Sequence, residues 1–393
     1  MKREASDQLW KICMNPDLRT PDPYDVWKTR IGVSLKRNYY KGNALHRGIA
    51  GAVYLADLFF NNRLRLGYKK QEYPIVRALA AQILTDRYLR TGQQECLDFA
   101  ELHAQWLLSH PVPSGTGMGW GLGFDHPVSA SVFYPRSTPF STITPYVLEA
   151  LVFLEKIPGQ EGKYRDACRS IRRFFDNDIR VLERTELYEV TSYGPLADRR
   201  VANAVSYTMY SLILLNNYFG DDQHDPGRTR RLFNYLRTVQ QEDGSWLYSD
   251  EGESFIDCFH SCIILKNLVK SRSIGFTADG LDDVIARGYR YLKSEFRDPS
   301  TGLYKRFTRK NKPGVIRYDL YDNAEMLQCA VLMDDPGEAR SIRSAIRSYF
   351  IHKDTIYSGI NIFGGRQNPR MLRWAIMPYL YSLNLLESYE HKN

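Results

Sequence analysis

Two kinds of helical pattern alternate along the chain. In residues 336–350, Ala339, Ile342, Ile346, Tyr349 and Phe350 recur at three- and four-residue spacing, with Arg340, Arg343 and Arg347 turned away. Residues 163–176 behave alike, with Ala167, Ile171, Phe174 and Phe175 on one side. Such helices give one face to a core and the other to water. The second kind is apolar nearly all round: 145–155 (PYVLEALVFLE), 204–216 (AVSYTMYSLILLN) and 373–386 (RWAIMPYLYSLNLL). A helix of that kind must be covered on every side.

A repeat emerges when the apolar helices are aligned at their starts. Polar or charged residues stand there: Thr144, Asn203, Asp257, Asp319 and Arg373, at successive gaps of 59, 54, 62 and 54 residues. Each interval holds one helix pair and a connection, which is the mark of a repeat architecture. The loops ahead of these helices carry Gly and aromatic residues at 117–127, 187–195, 243–252, 301–307 and 357–365. Short alternating stretches in them predict small β-hairpins. An inner apolar ring inside an outer amphipathic ring describes an all-α fold, an α/α toroid of about six helix pairs, complete or incomplete. An open α-solenoid has the same period and is the alternative. Residues 1–42 read as an extension packed on the ring, and 43–393 as the toroid domain. In a toroid the inner-helix N-termini converge at one end, where they build an aromatic, polar cleft.

The length of 393 residues suits one large closed architecture or two domains. With 43% hydrophobic and 25% charged residues, a disordered or collagen-like chain is excluded. No apolar run reaches the roughly 18–20 residues that span a bilayer. The start has no apolar core or small-residue cleavage site, so no secretory leader is expected and a cytoplasmic location is. Cysteines at 13, 96, 168, 258, 262 and 329 are too sparse for a disulfide framework and read as buried thiols. Lys and Arg number 53 against 45 Asp and Glu, which favours an anionic partner. The basic runs at 30–41 and 305–312 suit an anionic glycan, a lipid diphosphate or a membrane surface. No nucleic-acid motif accompanies them, and no nucleic-acid partner is expected.

The richest segment is 243–268, DGSWLYSDEGESFIDCFHSCIILKNL. Trp246 and Tyr248 lie in a loop before the helix start at Asp257, with His260 three residues on. Aromatic faces stack on sugar C–H faces, and carboxylate and imidazole move protons. Asp257 also reads as a plain helix cap. Within 317–333, Asp322 and Glu325 form a D-x-x-E capping box. That leaves Asp319 without a capping duty and available to pair with Asp257 or Asp125 across the cleft, as glycosidase carboxylates do. Arg373 and Trp374 open an apolar helix. An Arg at a helix start opposes the dipole and calls for a partner: Asp257, Asp319, a bound anion, or an acid that closes the last repeat onto the first. The Gly-rich loop 114–139 misses the nucleotide-binding spacings, and Trp120, Asp125, His126 and Arg136 are its candidate lining residues. Cys258, His260 and Cys262 point different ways on a helix, so no metal and no cofactor is expected.

The DPYDVW string, DGSW-x-Y with IDCFHSC, YDLYDNAE and the terminal RW helix, in that order, resemble α/α-toroid polysaccharide biosynthesis proteins of the VpsJ type. These are found with bacterial exopolysaccharide, capsule and O-antigen pathways. The resemblance runs from about residue 21 to 387 and implies a toroid and a role in glycan assembly or trimming. It carries over to Tyr24 and Asp25, Asp257 and His260, Asp319, and Arg373 with Trp374. The stretch 30–47 departs from it, being shorter and more basic.

Three readings follow. The first is a glycoside hydrolase acting on a bacterial polysaccharide or lipid-linked glycan. Asp257, Asp319 and His260 would be catalytic, and Trp246, Tyr248, Trp120, Asp125, Arg373, Trp374 and Asp25 would bind substrate. The second is a uronate lyase or C5-epimerase. The third is a non-catalytic glycan-binding or scaffold protein of a synthesis complex, with peripheral membrane association.

Overall fold

The computed structural model describes residues 9–42, 44–197, 199–220, 225–251, 254–310 and 314–392. Residues 1–8 of the expected extension, Gly252 of the loop 243–252 and residues 311–312 of the second basic run lie outside them. After a 3₁₀ turn at Leu9–Met14 and a single helical turn at Asp25–Lys28 comes a helical hairpin, α1 (Arg30–Tyr40) and α2 (Ala44–Ala56). The expected boundary after residue 42 falls in its turn.

Inner and outer helices then alternate. They are α3 (Pro74–Thr91), α4 (Gln94–Ser109), α5 (Thr144–Leu154), α6 (Arg165–Arg173), α7 (Ala202–Phe219), α8 (Pro226–Thr238), α9 (Cys258–Ser273), α10 (Leu281–Tyr291), α11 (Leu320–Leu332), α12 (Pro336–Phe350) and α13 (Met377–Lys392). The odd-numbered helices from α3 onward pack on one another in sequence, and α13 returns to α3. The ring is therefore closed. These inner helices are the ones whose sequences are apolar nearly all round, as a helix flanked on every side requires.

Polar groups seal the joint between the first and last inner helices. Asp86 of α3 accepts from Arg90 at 2.8 Å, from Asn384 at 2.9 Å and from Ser388 at 2.6 Å. Among the described residues five outer helices accompany the six inner ones. The sixth outer place is taken by a 3₁₀ turn, Leu9–Met14, packed on α3, α4 and α13. Buried His103 locks that turn. Its Nε2 donates to the Cys13 carbonyl at 2.7 Å and its Nδ1 accepts from Arg77 at 2.8 Å. Burial lowers the imidazole pKa to about 4, so the ring stays neutral in this role.

Small antiparallel hairpins stand on the loops, 112–114 with 117–119, 126–127 with 133–134 and 181–184 with 189–191, and 256–257 pairs with 307–309 of the following repeat. A larger sheet joins 355–361 to 351–352, 366–369 and 316–319. The strands ending at Asp257 and Asp319 run directly into α9 and α11.

Trp120 and Trp246, expected to stack on sugars, do structural work instead. Both rings are buried, 0% and 2% exposed, and neither offers a face to a ligand. The Trp120 indole N–H donates to the Leu107 carbonyl in the last turn of α4, at 3.0 Å. Trp246 does the same to Leu236 in the last turn of α8, also at 3.0 Å. Last-turn carbonyls lack an intrahelical donor, and an indole supplies one while its ring fills the gap beneath. The fit is close: a Cβ on Gly288 of α10 would lie 2.5 Å from the Trp246 ring. Trp246→Ala is expected to cost about 3–5 kcal/mol. Trp246→Phe, which keeps most of the volume, should cost less. The urea midpoints of the two variants check this order, and a wild-type midpoint for Trp246→Ala would contradict the wedge assignment.

Candidate active site

The inner-helix starts and the residue 20–28 segment meet at one end of the ring. Asp257 ends a strand in extended conformation and caps α9, accepting the His260 backbone N–H at 2.9 Å. The same carboxylate takes the His260 ring. Both of its oxygens lie 2.8 Å from Nδ1. Capping and chemistry are therefore not alternatives here. The bond places the imidazole proton on Nδ1 and leaves Nε2 as the basic nitrogen, with no partner among the described residues. The ring is held edge-on by Tyr248 and Phe259, at centroid distances of 4.6 and 4.9 Å. Its side chain is 22% exposed.

Asp319 takes the capping duty that the sequence assigns to Asp322. The strand 316–319 stays paired with 359–361 up to Asp319, so α11 begins at Leu320, ahead of the D-x-x-E box. One Asp319 oxygen accepts the Tyr321 backbone N–H at 2.9 Å. The other receives the Trp374 indole at 2.9 Å and Arg306 at 3.1 Å. Glu325, the expected other half of the box, is committed to Lys266 at 2.6 Å. Asp322 is thereby left inside the first turn of α11, buried, with Oδ2 unpartnered among the described residues.

Burial holds the Asp322 carboxyl well above the ordinary range. Asp319 and Asp257 push it further up, and Arg306 opposes them. Asp319 is raised too, by burial, against Arg306 and the Trp374 N–H. Asp322 is the group that sequence reasoning set aside as a cap. Its signal was the Asp319-x-x-Asp322 spacing, which puts two carboxyls on one face of a first turn.

Arg306 was not foreseen either. The Cys258 N–H donates to its carbonyl at 3.1 Å and its own N–H donates to Arg317 at 3.2 Å. Its backbone thus lies between the starts of α9 and α11, with the guanidinium over Asp319. An aromatic wall completes the cleft. Phe259 meets Tyr321 at 4.6 Å and Trp374 at 6.1 Å, and Trp374 meets Tyr24 at 5.3 Å. Tyr248 stacks on Phe255 at 4.7 Å, 12° from parallel. Beneath, inside the ring, Lys266 reaches Tyr146 at 3.2 Å and Tyr146 reaches Tyr207 at 2.7 Å.

Three expected residues stand elsewhere. Arg373 meets neither Asp257 nor Asp319. It pairs with Asp22 of the N-terminal segment, which is the ring-closing salt bridge among the expected roles. Burial alone would raise Asp22, but Arg373 and Lys28 hold it below the usual carboxylate range. Asp25 is buried between Lys28 and Arg65, 3.0 Å from each, and has no oxygen to offer a substrate. Asp125 accepts the Arg136 backbone N–H at 2.9 Å at the edge of a separate groove of about 490 Å³. Lys28, Arg30, Arg37 and Lys41 also line that groove. Cys258 and Cys262 turn towards α11, their sulfurs 3.8 Å apart, away from His260. Among the described residues, no three His, Cys, Asp or Glu side chains are grouped to hold a metal ion.

No protein-family model matches the sequence, and no characterised protein is recognisably similar to it in sequence. The fold does have solved counterparts. Cellobiose 2-epimerase from Bacillus thermoamylovorans superposes with a TM-score of 0.62 at 10% identity, over 81% of this chain and 88% of that one. A sugar epimerase from a ruminal bacterium gives 0.61 at 12%, over 83% and 90%. A GH76 alpha-mannanase from Bacteroides thetaiotaomicron gives 0.61 at 11%, over 98% and 100%. At these identities the likeness establishes the α/α toroid, and the resemblance to VpsJ-type proteins is supported only to that level.

Asp322 makes a signed prediction for stability. Its pKa is raised in the folded chain above the roughly 4 of an unfolded aspartate. Stability is therefore greatest below about pH 4 for this group and falls as pH rises towards the folded-state value. Asp322→Asn removes that dependence. Its stability relative to wild type should be higher at pH 8 than at pH 5. Urea unfolding of both proteins at the two pH values reads this, and an equal gap at both would refute the assignment.

Proposed function

We propose that the chain is a carbohydrate-active enzyme that moves a proton at a sugar carbon, as epimerases and lyases do. The Asp257–His260 pair carries this reading. A histidine oriented by a carboxylate, its side chain 22% exposed and its second nitrogen without a partner among the described residues, is built as a general base. The two carboxylates that a hydrolase would use, Asp257 and Asp319, are already engaged by His260 and by Arg306 with Trp374. Fold-level likeness to sugar epimerases and a mannanase supports a saccharide substrate.

In this reading the saccharide lies against Trp374, Phe259 and Tyr248. Nε2 of His260 takes a proton from a carbon next to a carbonyl or carboxylate. The electron pair moves to that oxygen, and the Asp257 carboxylate stabilises the imidazolium. Arg306, whose side chain is 26% exposed, offsets the negative charge of the substrate and of the oxygen where charge develops. Return of a proton from solvent to the opposite face inverts the centre and the imidazolium then gives up its proton, whereas breaking of the C–O bond at the next carbon, with the imidazolium proton passing to the leaving oxygen, gives the lyase outcome. Arg306 here takes the place the sequence gave to Arg373. The substrates we favour are glycans with a uronate, from a polysaccharide or a lipid-linked oligosaccharide. Glycoside hydrolysis is the second reading, favoured by the fold-level likeness to the GH76 mannanase.

The test is incubation with uronate and neutral oligosaccharides in deuterated water. Deuterium at a ring carbon without cleavage indicates epimerisation. A rise in ultraviolet absorbance from an unsaturated uronate indicates lyase action, and new reducing ends alone indicate hydrolysis. On any processed substrate, His260→Gln should lower kcat by about 10²–10⁴-fold with unchanged circular dichroism. Asp257→Asn should also lower it, through loss of the ring orientation. Full turnover by His260→Gln would end the proposal.

A further inference from the structure

The α1–α2 hairpin does not behave like the rest of the surface. Among the described residues sixteen large apolar side chains are exposed, and eight of them lie between Ile31 and Leu66. Phe60 is 83% exposed and Leu64 70%. Of α2, whose sequence is apolar nearly all round, only Ala50 is buried among the described residues. A single exposed Leu is ordinary, but a contiguous apolar helix in water is not.

The charge of the chain is concentrated in the same place. Residues 30–70 hold nine Lys or Arg and one Asp, a net of 9 − 1 = +8. The other 352 residues carry 44 basic and 44 acidic side chains and are balanced. The one acid, Asp57, is buried and turned inward, held by Tyr68 at 2.7 Å and Arg65 at 3.4 Å. Arg37, Lys41, Arg47, Arg63, Lys69 and Lys70 are exposed. The surface of the hairpin and of the turn after it is thus apolar and basic, with no acid.

The opposite side of the hairpin faces the candidate site. Tyr54 is half-buried within the electrostatic reach of Arg306, Tyr24 and Asp319, and Tyr40, also half-buried, within that of Tyr24 and Arg199. At 13 residues, α2 is about 20 Å long, too short for a hydrocarbon core of about 30 Å. Among the described residues no helix is long and apolar enough to cross a membrane.

We infer that the α1–α2 hairpin is a membrane-docking element that seats α2 and the Phe59–Phe60 turn in the interface of an anionic phospholipid bilayer. Apolar area, here on α2, and basic charge, here mainly on α1 and the turn after α2, are the two forces that hold interfacial elements to such surfaces. Charge complementarity selects the lipid surface over an apolar protein groove, because a purely apolar partner would gain nothing from the excess of eight positive charges. Docking holds the mouth of the cleft to the bilayer, where a lipid-borne saccharide is presented. That corollary rests on the glycan reading above; docking itself does not.

The experiment uses the full chain and needs no substrate. Vesicles of phosphatidylcholine alone are compared with vesicles holding about one-third phosphatidylglycerol, by co-sedimentation at low and high salt. The chain is expected to bind the anionic vesicles at least tenfold more tightly, and salt should weaken the binding. Phe60→Trp should show a blue-shifted emission on binding and quenching by brominated lipid. Leu55→Ser/Phe60→Ser should lower the affinity at least tenfold with circular dichroism and Tm unchanged, since both side chains are exposed. Arg47→Glu/Arg63→Glu should do so at low salt only. No binding to anionic vesicles, or binding of Phe60→Trp without a shift of its indole emission, overturns the inference. So does a lipid-free dimer that the Ser variant converts to monomer, because the patch would then be a protein interface. Loss of docking would leave deuterium exchange at the sugar intact, so the two proposals fail separately.

Discussion

The buried pairing of Arg373 with Asp22 is the constraint on which the site depends. Asp22 is wholly buried and Arg373 nearly so, and the contact joins residues 351 apart in sequence. The same clasp includes the Leu372 N–H donating to Thr20 at 2.8 Å. Together they hold the chain at the kink before α13, which aims the Trp374 indole at Asp319. Removing one partner of such a pair leaves a buried charge and typically costs about 3–5 kcal/mol. A ring of helices supplies the hollow. This clasp ties the two ends of the chain at its mouth and sets the aromatic wall.

Within the hollow, helix starts do two jobs. Asp257 and Asp319 both satisfy first-turn N–H groups, a duty that alone would explain an aspartate at each place. Each also reaches outward, Asp257 to an imidazole and Asp319 to an indole and a guanidinium. The α/α toroid makes this economical, because successive inner helices start at the same end and their caps face one space. Asp322 is the consequence. It sits one turn inside, beside two other carboxylates, with burial too complete for water to screen them. Its neutral form is the state such a place favours.

The hairpin over the cleft follows a different rule from the ring. Ring helices that are apolar nearly all round are enclosed by neighbours. Among the described residues, α2 is such a helix outside the ring, left open to solvent on most sides with basic residues around it. A surface that a bilayer covers meets the same physical requirement that neighbouring helices meet inside the ring.

The amino-acid sequence by itself determined the architecture. Which helices are apolar all round and which on one face only is a local property, and it dictates which lie inside. The spacing from Thr144 to Arg373 gave the repeat, and Asp257 with His260, three apart at a helix start, gave the carboxylate–imidazole pair. Only the tertiary structure decided the rest. Whether a loop tryptophan stacks on sugar or plugs a helix end depends on the carbonyl it meets, and Trp120 and Trp246 meet Leu107 and Leu236. Which of Asp319 and Asp322 caps α11 depends on how far the preceding strand stays paired with 359–361. The partner of Arg373 lies at the other end of the chain, and Arg306 is placed by hydrogen bonds between two separate repeats. Side-chain periodicity is written locally, but charge pairing and burial are set by what the closed ring brings together, and no spacing along the chain encodes that.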